Sequence, residues 1–291
     1  MQRPSLGFIG AGKVGQTLAR LWVERGYRVG AVSSRSPAGA EALARQVGAP
    51  VVPAANIAAH ADLILLTVPD DQIEPLAEML AKQNEVTGRG FLHTSGAHDA
   101  SLLAPLAGQG ARVGSLHPAF PFADVAVALQ RLPGSTFAYQ ADDPVLRAHV
   151  LDLIAAADGR ALRVPTGQKP LYHAALVLAS NYTVTLYALA QALLLELGAE
   201  PATADAALNA LLGGTVENLR QRGIPDALTG PLTRLDLGTV EAHLQALARH
   251  EPRLAFLYSE LARLSFPMLE ARGVETAPIA ALLSGFAAHQ E

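Results

Sequence analysis

Residues 6–20 read LGFIGAGKVGQTLAR, and this stretch decides the fold. The apolar residues at its start predict a buried strand, and the pattern after the last glycine predicts a helix. Between them lie Gly10, Gly12 and Gly15, in the spacing G-x-G-x-x-G. Gly10 permits a tight turn, Gly12 the close approach of a pyrophosphate, and Gly15 close packing of helix on strand. This predicts a dinucleotide-binding turn, the alternative being a structural glycine turn in another doubly wound fold.

We assign the whole turn to the cofactor. Its residues are Gly10, Ala11, Gly12, Lys13, Val14 and Gly15. The end of the next predicted strand should contact the cofactor ribose, and there the chain reads Ser33, Ser34 and Arg35 without an acidic residue. A carboxylate would repel a 2′-phosphate, whereas hydroxyls and a guanidinium bind it. The sequence therefore favours NADP(H) over NAD, although Arg35 could instead be a solvated loop charge.

The loop that follows the predicted strand DLILLTVP (62–69) is also expected at the cofactor. Val68 and Pro69 end this strand, where ligands of parallel sheets bind. The next residues, Asp70 and Asp71, are most simply the N-cap of the following helix.

The chain changes character near residue 163. Before it, short β-branched runs alternate with helical patterns at 13–26, 37–47 and 71–82. This alternation predicts a Rossmann-like α/β domain with a doubly wound parallel sheet over residues 1–163. Residues 164–291 contain helical patterns separated by Gly, Pro and Thr, and they predict an all-α substrate and dimerisation domain. The predicted strands are LGFIG, RVGAVS, PVV, DLILLTVP, RGFLHTS, RVGSLHP and STFAYQ, and the predicted C-terminal helices are 169–197, 201–222, 237–249, 252–272 and 276–288.

Composition limits the functional classes. Of 291 residues 50% are hydrophobic and 16% charged, which is typical of a globular protein with a large core. The net charge of −4 and the lack of a polybasic run argue against nucleic acid and an anionic membrane as partners. The chain has no cysteine, which excludes thiolate chemistry and cysteine-ligated zinc; we expect a cytoplasmic protein without a metal site.

One apolar stretch, residues 174–195, is long enough to cross a bilayer. Nothing comparable occurs elsewhere in the sequence. We therefore expect a helix that is buried on all sides in a helical bundle, and no membrane span.

A second polar group is expected where the helical domain begins. Lys169 and His173 are one helical turn apart, and a desolvated lysine is a plausible acid or base. His117 ends a predicted strand and is either a proton-transfer group or a packed histidine. Ser95 and Gly96 follow another strand and could hold a substrate carboxylate, or form a plain turn.

Two further residues are candidates for substrate binding. Asn181 could face the edge of this cleft or another helix. Arg234 could bind a substrate carboxylate, or form an ion pair with Asp236 two residues later.

These motifs resemble those of the 6-phosphogluconate and β-hydroxyacid dehydrogenase superfamily. Many of its members have Lys-x-x-x-Asn at the start of the first long helix, with the lysine as acid/base; here Lys169 is followed by His173 instead of asparagine. The segment GSLHP (114–118) is similar to the His-Pro element of prephenate dehydrogenases, in which the histidine is catalytic. The whole chain most resembles a bacterial family of predicted NADP oxidoreductases with a C-terminal helical domain of unknown function, whose members include an alternative ketopantoate reductase.

The sequence thus predicts an NADPH-dependent oxidoreductase that reduces a small carboxylate-bearing carbonyl compound, such as a 2-oxoacid, in a homodimer. Lys169, His173 or His117 would supply the proton, and the sequence leaves the choice among them open. The alternatives are a prephenate-like or β-hydroxyacid dehydrogenase that uses NADP⁺, and a non-catalytic NADP-binding sensor.

Overall fold

The computed structural model of the chain describes residues 3–287. It divides into two compact units, one ending at Thr185 and one beginning at Leu186. Among the described residues the last strand ends at Arg163. The first compact unit continues beyond that point through a helix that carries Lys169.

The first unit is built on a seven-stranded sheet with the strand order β2-β1-β3-β4-β5-β6-β7. All neighbouring strands are parallel except β5 and β6, which are antiparallel. The strands are β1 (Leu6–Ile9), β2 (Val29–Ser33), β3 (Leu63–Leu66), β4 (Gly90–His93), β5 (Arg112–Pro118), β6 (Thr136–Ala141) and β7 (Arg160–Arg163).

Helices cover both faces of this sheet. They are α1 (Lys13–Glu24), α2 (Pro37–Val47), α3 (Ile73–Leu80), α4 (Ala104–Ala107), α5 (Val125–Arg131) and α6 (Pro144–Ala156). A further helix, α7 (Lys169–Ala179), follows β7. Successive residues of β1 point to opposite faces, since Phe8 packs in one apolar cluster with Trp22 of α1 and Ile9 packs in another with Ile73 of α3. Burial on both faces explains why these strands read as continuous apolar runs rather than alternating ones.

The predicted doubly wound fold is confirmed, with three corrections in the sheet. Residues 50–52 (PVV) form an isolated bridge between Val51 and Val32 and not a strand. Strand β7 was not predicted, because its residues RALR are all exposed at the sheet edge and include two arginines. The antiparallel β5–β6 pair was not predicted either, because an apolar run has no signature of strand direction.

The second unit is helical. A further helix, α8 (Asn181–Glu196), crosses from the first unit into the second, and the remaining helices are α9 (Pro201–Arg222), α10 (Leu237–His250), α11 (Pro252–Leu264), α12 (Phe266–Glu270) and α13 (Ala277–Ala287). A small core joins α10 to α13, where Val240 and Leu244 pack with Ile279 and Leu283. The predicted end of the last helix, residue 288, lies outside the described residues.

The helix predicted over 169–197 differs from the structure in two ways. It is divided at Ser180 into α7 and α8. It is also not buried on all sides: within α8, whose residues are all described, none is buried, and Lys169 alone is buried in α7. Residues Lys169–Glu196 are still long and apolar enough to cross a membrane, and an apolar stretch of 18 residues within them has no buried residue.

Candidate functional site

The glycine turn (residues 10–15) joins β1 to α1 in the way its spacing predicts. Gly10 has a φ of +113°, and a Cβ there would lie 2.3 Å from the carbonyl oxygen of Thr67. At Gly15 a Cβ would lie 2.2 Å from the carbonyl oxygen of Gly10, so helix and strand could not pack as they do. A Cβ at Gly12 would meet nothing within 4 Å. The turn is therefore tightly packed at Gly10 and Gly15 and has free space at Gly12. Gly12 precedes the N-terminus of α1, and helix N-termini bind phosphate groups.

The neighbouring strand end forms the other half of this cleft. Ser36 caps α2, because its Oγ accepts from the backbone N–H of Gly39 at 3.2 Å. Ser34 Oγ accepts from the backbone N–H of Ser36 at 3.3 Å, and Ser33 is buried. Arg35 is exposed and has no ionic partner within the described chain. A free guanidinium beside a capped helix N-terminus can bind an anionic group.

The two halves enclose a cleft of about 910 Å³ in the first unit. Eight of the eleven predicted cofactor residues line it: Gly10, Ala11, Gly12, Ser33, Ser34, Arg35, Val68 and Pro69. Lys13, Val14 and Gly15 are not in its lining, since they begin α1 behind the turn. The volume and the phosphate-binding geometry fit a nucleotide cofactor.

Lys169 begins α7 and is completely buried. Its Nζ donates a hydrogen bond to the backbone carbonyl of Ser95 at 3.0 Å, its one hydrogen-bond partner within the described residues, and lies 5.8 Å from the centre of the Tyr172 ring. Burial lowers the pKa of this ammonium group to about 8, against the opposite pull of Asp99 and Asp70. An ammonium group has three donors, so Lys169 keeps donor capacity for another molecule.

The predicted substrate residue Ser95 holds the loop after β4. Its Oγ donates to Asp70 at 2.8 Å and accepts from the backbone N–H groups of Ala97 and His98 at 3.2 Å each. A substrate that contacts this hydroxyl would have to displace one of these bonds. Asp70 is thus not the predicted helix N-cap; Gln72 occupies that position in α3, and Asp70 binds Ser95 instead.

His117 and His173 converge beside Gly96. A Cβ on Gly96 would lie 2.8 Å from Nδ1 of His173 and 2.9 Å from Nε2 of His117. The two rings are 6.3 Å apart between centroids and nearly perpendicular. Burial, followed by the charge of Lys169, lowers the pKa of His117 to about 4. At neutral pH His117 is therefore an uncharged hydrogen-bonding group. The structure brings together Lys169, His117, His173, Ser95 and Gly96, which we call the lysine–histidine cluster.

Sequence reasoning missed three residues that support this cluster. His93 is buried at the end of β4, and Asp99 accepts through its carboxylate from Gln140 Nε2 at 2.6 Å and from the N–H of Gly167 at 2.9 Å. His93 Nδ1 accepts from the N–H of Ser95, so its Nε2 donates to the carbonyl of Asp99. These bonds tie the β4 loop to the segment that precedes Lys169. The sequence could have indicated them, because His93 and Asp99 directly flank the polar loop TSGAH (94–98).

A fourth missed residue is Tyr172, one turn along α7 from Lys169. Its hydroxyl lies 2.8 Å from Nδ1 of His117, and the two rings are in edge contact. Burial raises the pKa of Tyr172 to about 12. The sequence could have indicated this residue, because residues three apart are neighbours on a helix surface and Tyr172 follows Lys169 by three.

The remaining two predicted residues are Asn181 and Arg234. Asn181 is exposed at the start of α8, and within the described residues its side chain forms no hydrogen bond with Lys169 or His173. Arg234 belongs to the second unit, and within the described residues it forms no ion pair with Asp236. Asp236 instead caps α10 by accepting from both the N–H and the hydroxyl of Thr239, which lowers its pKa.

Two family models match the chain. One describes a Rossmann-like domain and matches residues 1–118, from before the glycine turn to the end of β5. The other describes a domain of unknown function, DUF2520, and matches residues 135–265. The Rossmann-like match therefore comes first along the chain and the DUF2520 match second. Lys169, Tyr172 and His173 lie in the DUF2520 match, whereas His117 lies at the end of the Rossmann-like match.

Solved structures are similar to this chain over most of its length. A protein from Thermotoga maritima is 23% identical, with a TM-score of 0.74, over 92% of this chain and 99% of its own. A proposed NADP oxidoreductase from Bacteroides fragilis is 25% identical, with a TM-score of 0.67, over 90% of this chain and 98% of its own. A reductive aminase from Aspergillus terreus is 18% identical, with a TM-score of 0.67, over 98% of this chain and 100% of its own. No curated protein matches the sequence.

Proposed function

We propose that this protein is an NADPH-dependent oxidoreductase that reduces a small carboxylate-bearing carbonyl compound, such as a 2-oxoacid. One observation carries the proposal. The carboxyl ends of the five parallel strands β2, β1, β3, β4 and β5 lie at one sheet edge, and the polar groups of both sites follow them in that order. The anion-binding residues follow β2 and β1, Ser95 and Gly96 follow β4, and His117 lies at the end of β5. Lys169 of α7 joins this group through its hydrogen bond to Ser95. Ligands of such sheets bind along this edge.

The cofactor part of the proposal rests on the fit of the cleft. Gly12 leaves room for a pyrophosphate at the N-terminus of α1, and Ser34 and Arg35 fit a 2′-phosphate better than an acidic residue would. The Aspergillus reductive aminase was solved in complex with NADPH. When bound, NADPH would supply the hydride that adds to the carbonyl carbon of the substrate.

Lys169 is the proton donor in this proposal. With a pKa of about 8 it is protonated at neutral pH and yet able to release its proton to the developing alkoxide. His117, with a pKa of about 4, is uncharged at neutral pH and would act as a hydrogen-bonding group. His173 would form the wall of the substrate site beside Gly96.

The substrate class rests on the resemblance to ketopantoate reductase-like proteins and on Arg234 as the anchor of a carboxylate. Asn181 is retained as a second polar contact for the substrate. The relative from Aspergillus was solved with ethyl-5-oxohexanoate, a carbonyl compound, which is consistent with reduction of a carbonyl group.

The test is an assay of ketopantoate and a series of 2-oxoacids with NADPH and with NADH, followed at the nicotinamide absorbance. We expect turnover with NADPH, and a loss of NADPH affinity of about tenfold or more in Arg35→Ala, because a charge-assisted bond is lost. Arg45→Ala, an exposed arginine at the other end of α2, should change neither. Activity with NADH alone would contradict the cofactor assignment.

The same assay separates the alternatives. Turnover of hydroxyacids with NADP⁺ but not of oxoacids with NADPH would favour a dehydrogenase working in the oxidative direction. NADPH binding without turnover of either class, unchanged in Lys169→Met, would favour a sensor.

We also propose that the chain is a homodimer formed through α9. Every residue of α9 is described, and only Ala204 of its 22 residues is buried. Leu211, Leu212, Val216 and Leu219 are exposed within an arc of roughly 140° at 100° per residue. A helix with such a stripe derives its stability from packing against another element, and a self-complementary apolar stripe is what a twofold-related copy would cover.

A further inference from the structure

Tyr172 contacts the lysine–histidine cluster through His117. The tyrosine oxygen lies 2.8 Å from Nδ1 of His117, and the rings meet edge to face at 5.7 Å between centroids. Tyr172 is in α7 and His117 ends β5, so the bond joins two elements that are 55 residues apart. This distance is ideal for a hydrogen bond, but it does not reveal which atom carries the proton.

The surroundings of the pair decide the direction of the bond. The phenolic hydrogen of Tyr172 has no acceptor other than Nδ1 of His117 within the described residues. A half-buried O–H group left without an acceptor is unfavourable, so the hydroxyl donates to Nδ1. The single proton of the neutral imidazole is then carried by Nε2.

The other ring nitrogen of His117, Nε2, is free to bind another molecule. Nε2 bonds to no described residue, and it is not among the buried atoms without a partner, so it remains accessible. It lies beside Gly96, whose missing side chain lets the ring approach the backbone: a Cβ there would be 2.9 Å from Nε2. His173 differs, because its Nδ1 is buried without a partner.

We propose that Tyr172 is a positioning residue that holds His117 as the Nε2–H tautomer, so that His117 donates a hydrogen bond to the reacting oxygen of the substrate. This inference rests on the proposed function for the identity of the acceptor. The tautomer itself is a property of the free protein. Proton donation stays with Lys169, and His117 stabilises the negative charge that develops on the oxygen.

The first experiment reads the tautomer without substrate. Long-range ¹H–¹⁵N NMR spectra of protein labelled at histidine distinguish protonated from bare ring nitrogens, and His117→Gln identifies the signal of His117 among the nine histidines. We expect protonated Nε2 and bare Nδ1 in the wild type at neutral pH. In Tyr172→Phe we expect a mixture of tautomers. A wild-type ring protonated at Nδ1, or a spectrum that Tyr172→Phe leaves unchanged, would overturn the proposal.

The second experiment is a double-mutant cycle on turnover. Tyr172→Phe should lower kcat for the best oxoacid about twofold or more, with the KM for NADPH unchanged, because about half of the rings no longer present a donor. A glutamine at position 117 carries its N–H donors without tautomers, so in His117→Gln the further change Tyr172→Phe should have no effect. Equal losses in both backgrounds would mean that Tyr172 is merely structural.

Tyr182→Phe is the matched control. Tyr182 lies ten residues further along the same segment and is 54% exposed. It should behave as the wild type in both experiments. If the protein turned over no oxoacid, the proposed function would fail, while the NMR result would still decide the tautomer.

Discussion

At the scale of single residues, Lys169 combines a cost in stability with a proposed role in proton transfer. A buried ammonium group is rare, because burial favours the uncharged amine. Here one carbonyl oxygen, that of Ser95, receives its hydrogen bond, and Asp70 and Asp99 partly restore the charged form. The result is a lysine whose pKa lies close to neutral pH, as proton transfer requires.

The first prediction concerns the pH dependence of reduction. Lys169 is protonated below its pKa of about 8, so kcat/KM for the oxoacid should fall as the pH rises through 8. Lys169→Met should lower kcat by roughly 100-fold or more and remove this alkaline limb. Lys82→Met, at an exposed lysine, should keep both rate and profile. An unchanged alkaline limb in Lys169→Met would contradict the assignment.

The second prediction concerns stability. Because the folded state lowers the pKa of Lys169 from 10.5 to about 8, it carries the cost of the buried charge at every pH below 8. Lys169→Met should raise the free energy of unfolding at pH 7 by on the order of 1–3 kcal/mol, after loss of the bond to Ser95. This gain should shrink as the pH rises from 8 towards 10.5, where the lysine is neutral in both states. Urea unfolding at pH 7 and pH 10 measures the difference, and a destabilised variant at pH 7 would contradict it.

At the scale of elements, the glycines of the turn have two different functions, packing of the fold and binding of the cofactor. Gly10 and Gly15 lie against backbone atoms, and their hydrogens are needed for α1 to pack on β1 and β3. Gly12 faces open space, so its hydrogen is needed only when a pyrophosphate approaches.

The third prediction follows from this difference. Gly15→Ala should lower the melting temperature, because its Cβ would lie 2.2 Å from a backbone oxygen that cannot move easily. Gly12→Ala should melt like the wild type and bind NADPH at least tenfold more weakly. Calorimetry and fluorescence titration with NADPH give the two quantities, and a Gly12→Ala protein that binds normally would remove Gly12 from the site. Gly108→Ala, where a Cβ makes only ordinary contacts, is the control.

At the scale of the whole molecule, α9 exposes large apolar side chains that no other part of the described chain covers. α9 contacts α8 through Asp205, which accepts hydrogen bonds from Tyr187 and Gln191. Its large apolar side chains further along, among them Leu211 and Leu219, stay exposed. Interfaces of obligate dimers have this composition.

The fourth prediction is the mass in solution. Light scattering should give twice the chain mass of 30.4 kDa for the wild type. Leu211→Glu combined with Leu219→Glu should give the monomer, because two charges cannot be buried in an apolar interface. Leu264→Glu, at a leucine of α11 that is 73% exposed, should leave the dimer intact. A monomeric wild type, or one that binds lipid vesicles through this region, would contradict the proposal.

The sequence by itself determined the sheet domain and its glycine turn. Steric rules act locally there, since a glycine spacing between a strand and a helix permits few structures, and residues 10–15 adopt the one expected. It also determined that Lys169 and His173 share one helix face, because helical periodicity is a local property.

Only the tertiary structure decided which groups meet. Tyr172 and His117 are distant in sequence, and Asp70 serves Ser95 rather than a helix terminus, because loops after β3, β4 and β5 meet at one edge of the sheet. The burial of Lys169, and with it a pKa near 8, depends on this packing. The sequence did not predict the exposure of α8 and α9 either. An apolar pattern predicts that a surface will be covered, but it does not say whether the covering residues belong to the same chain.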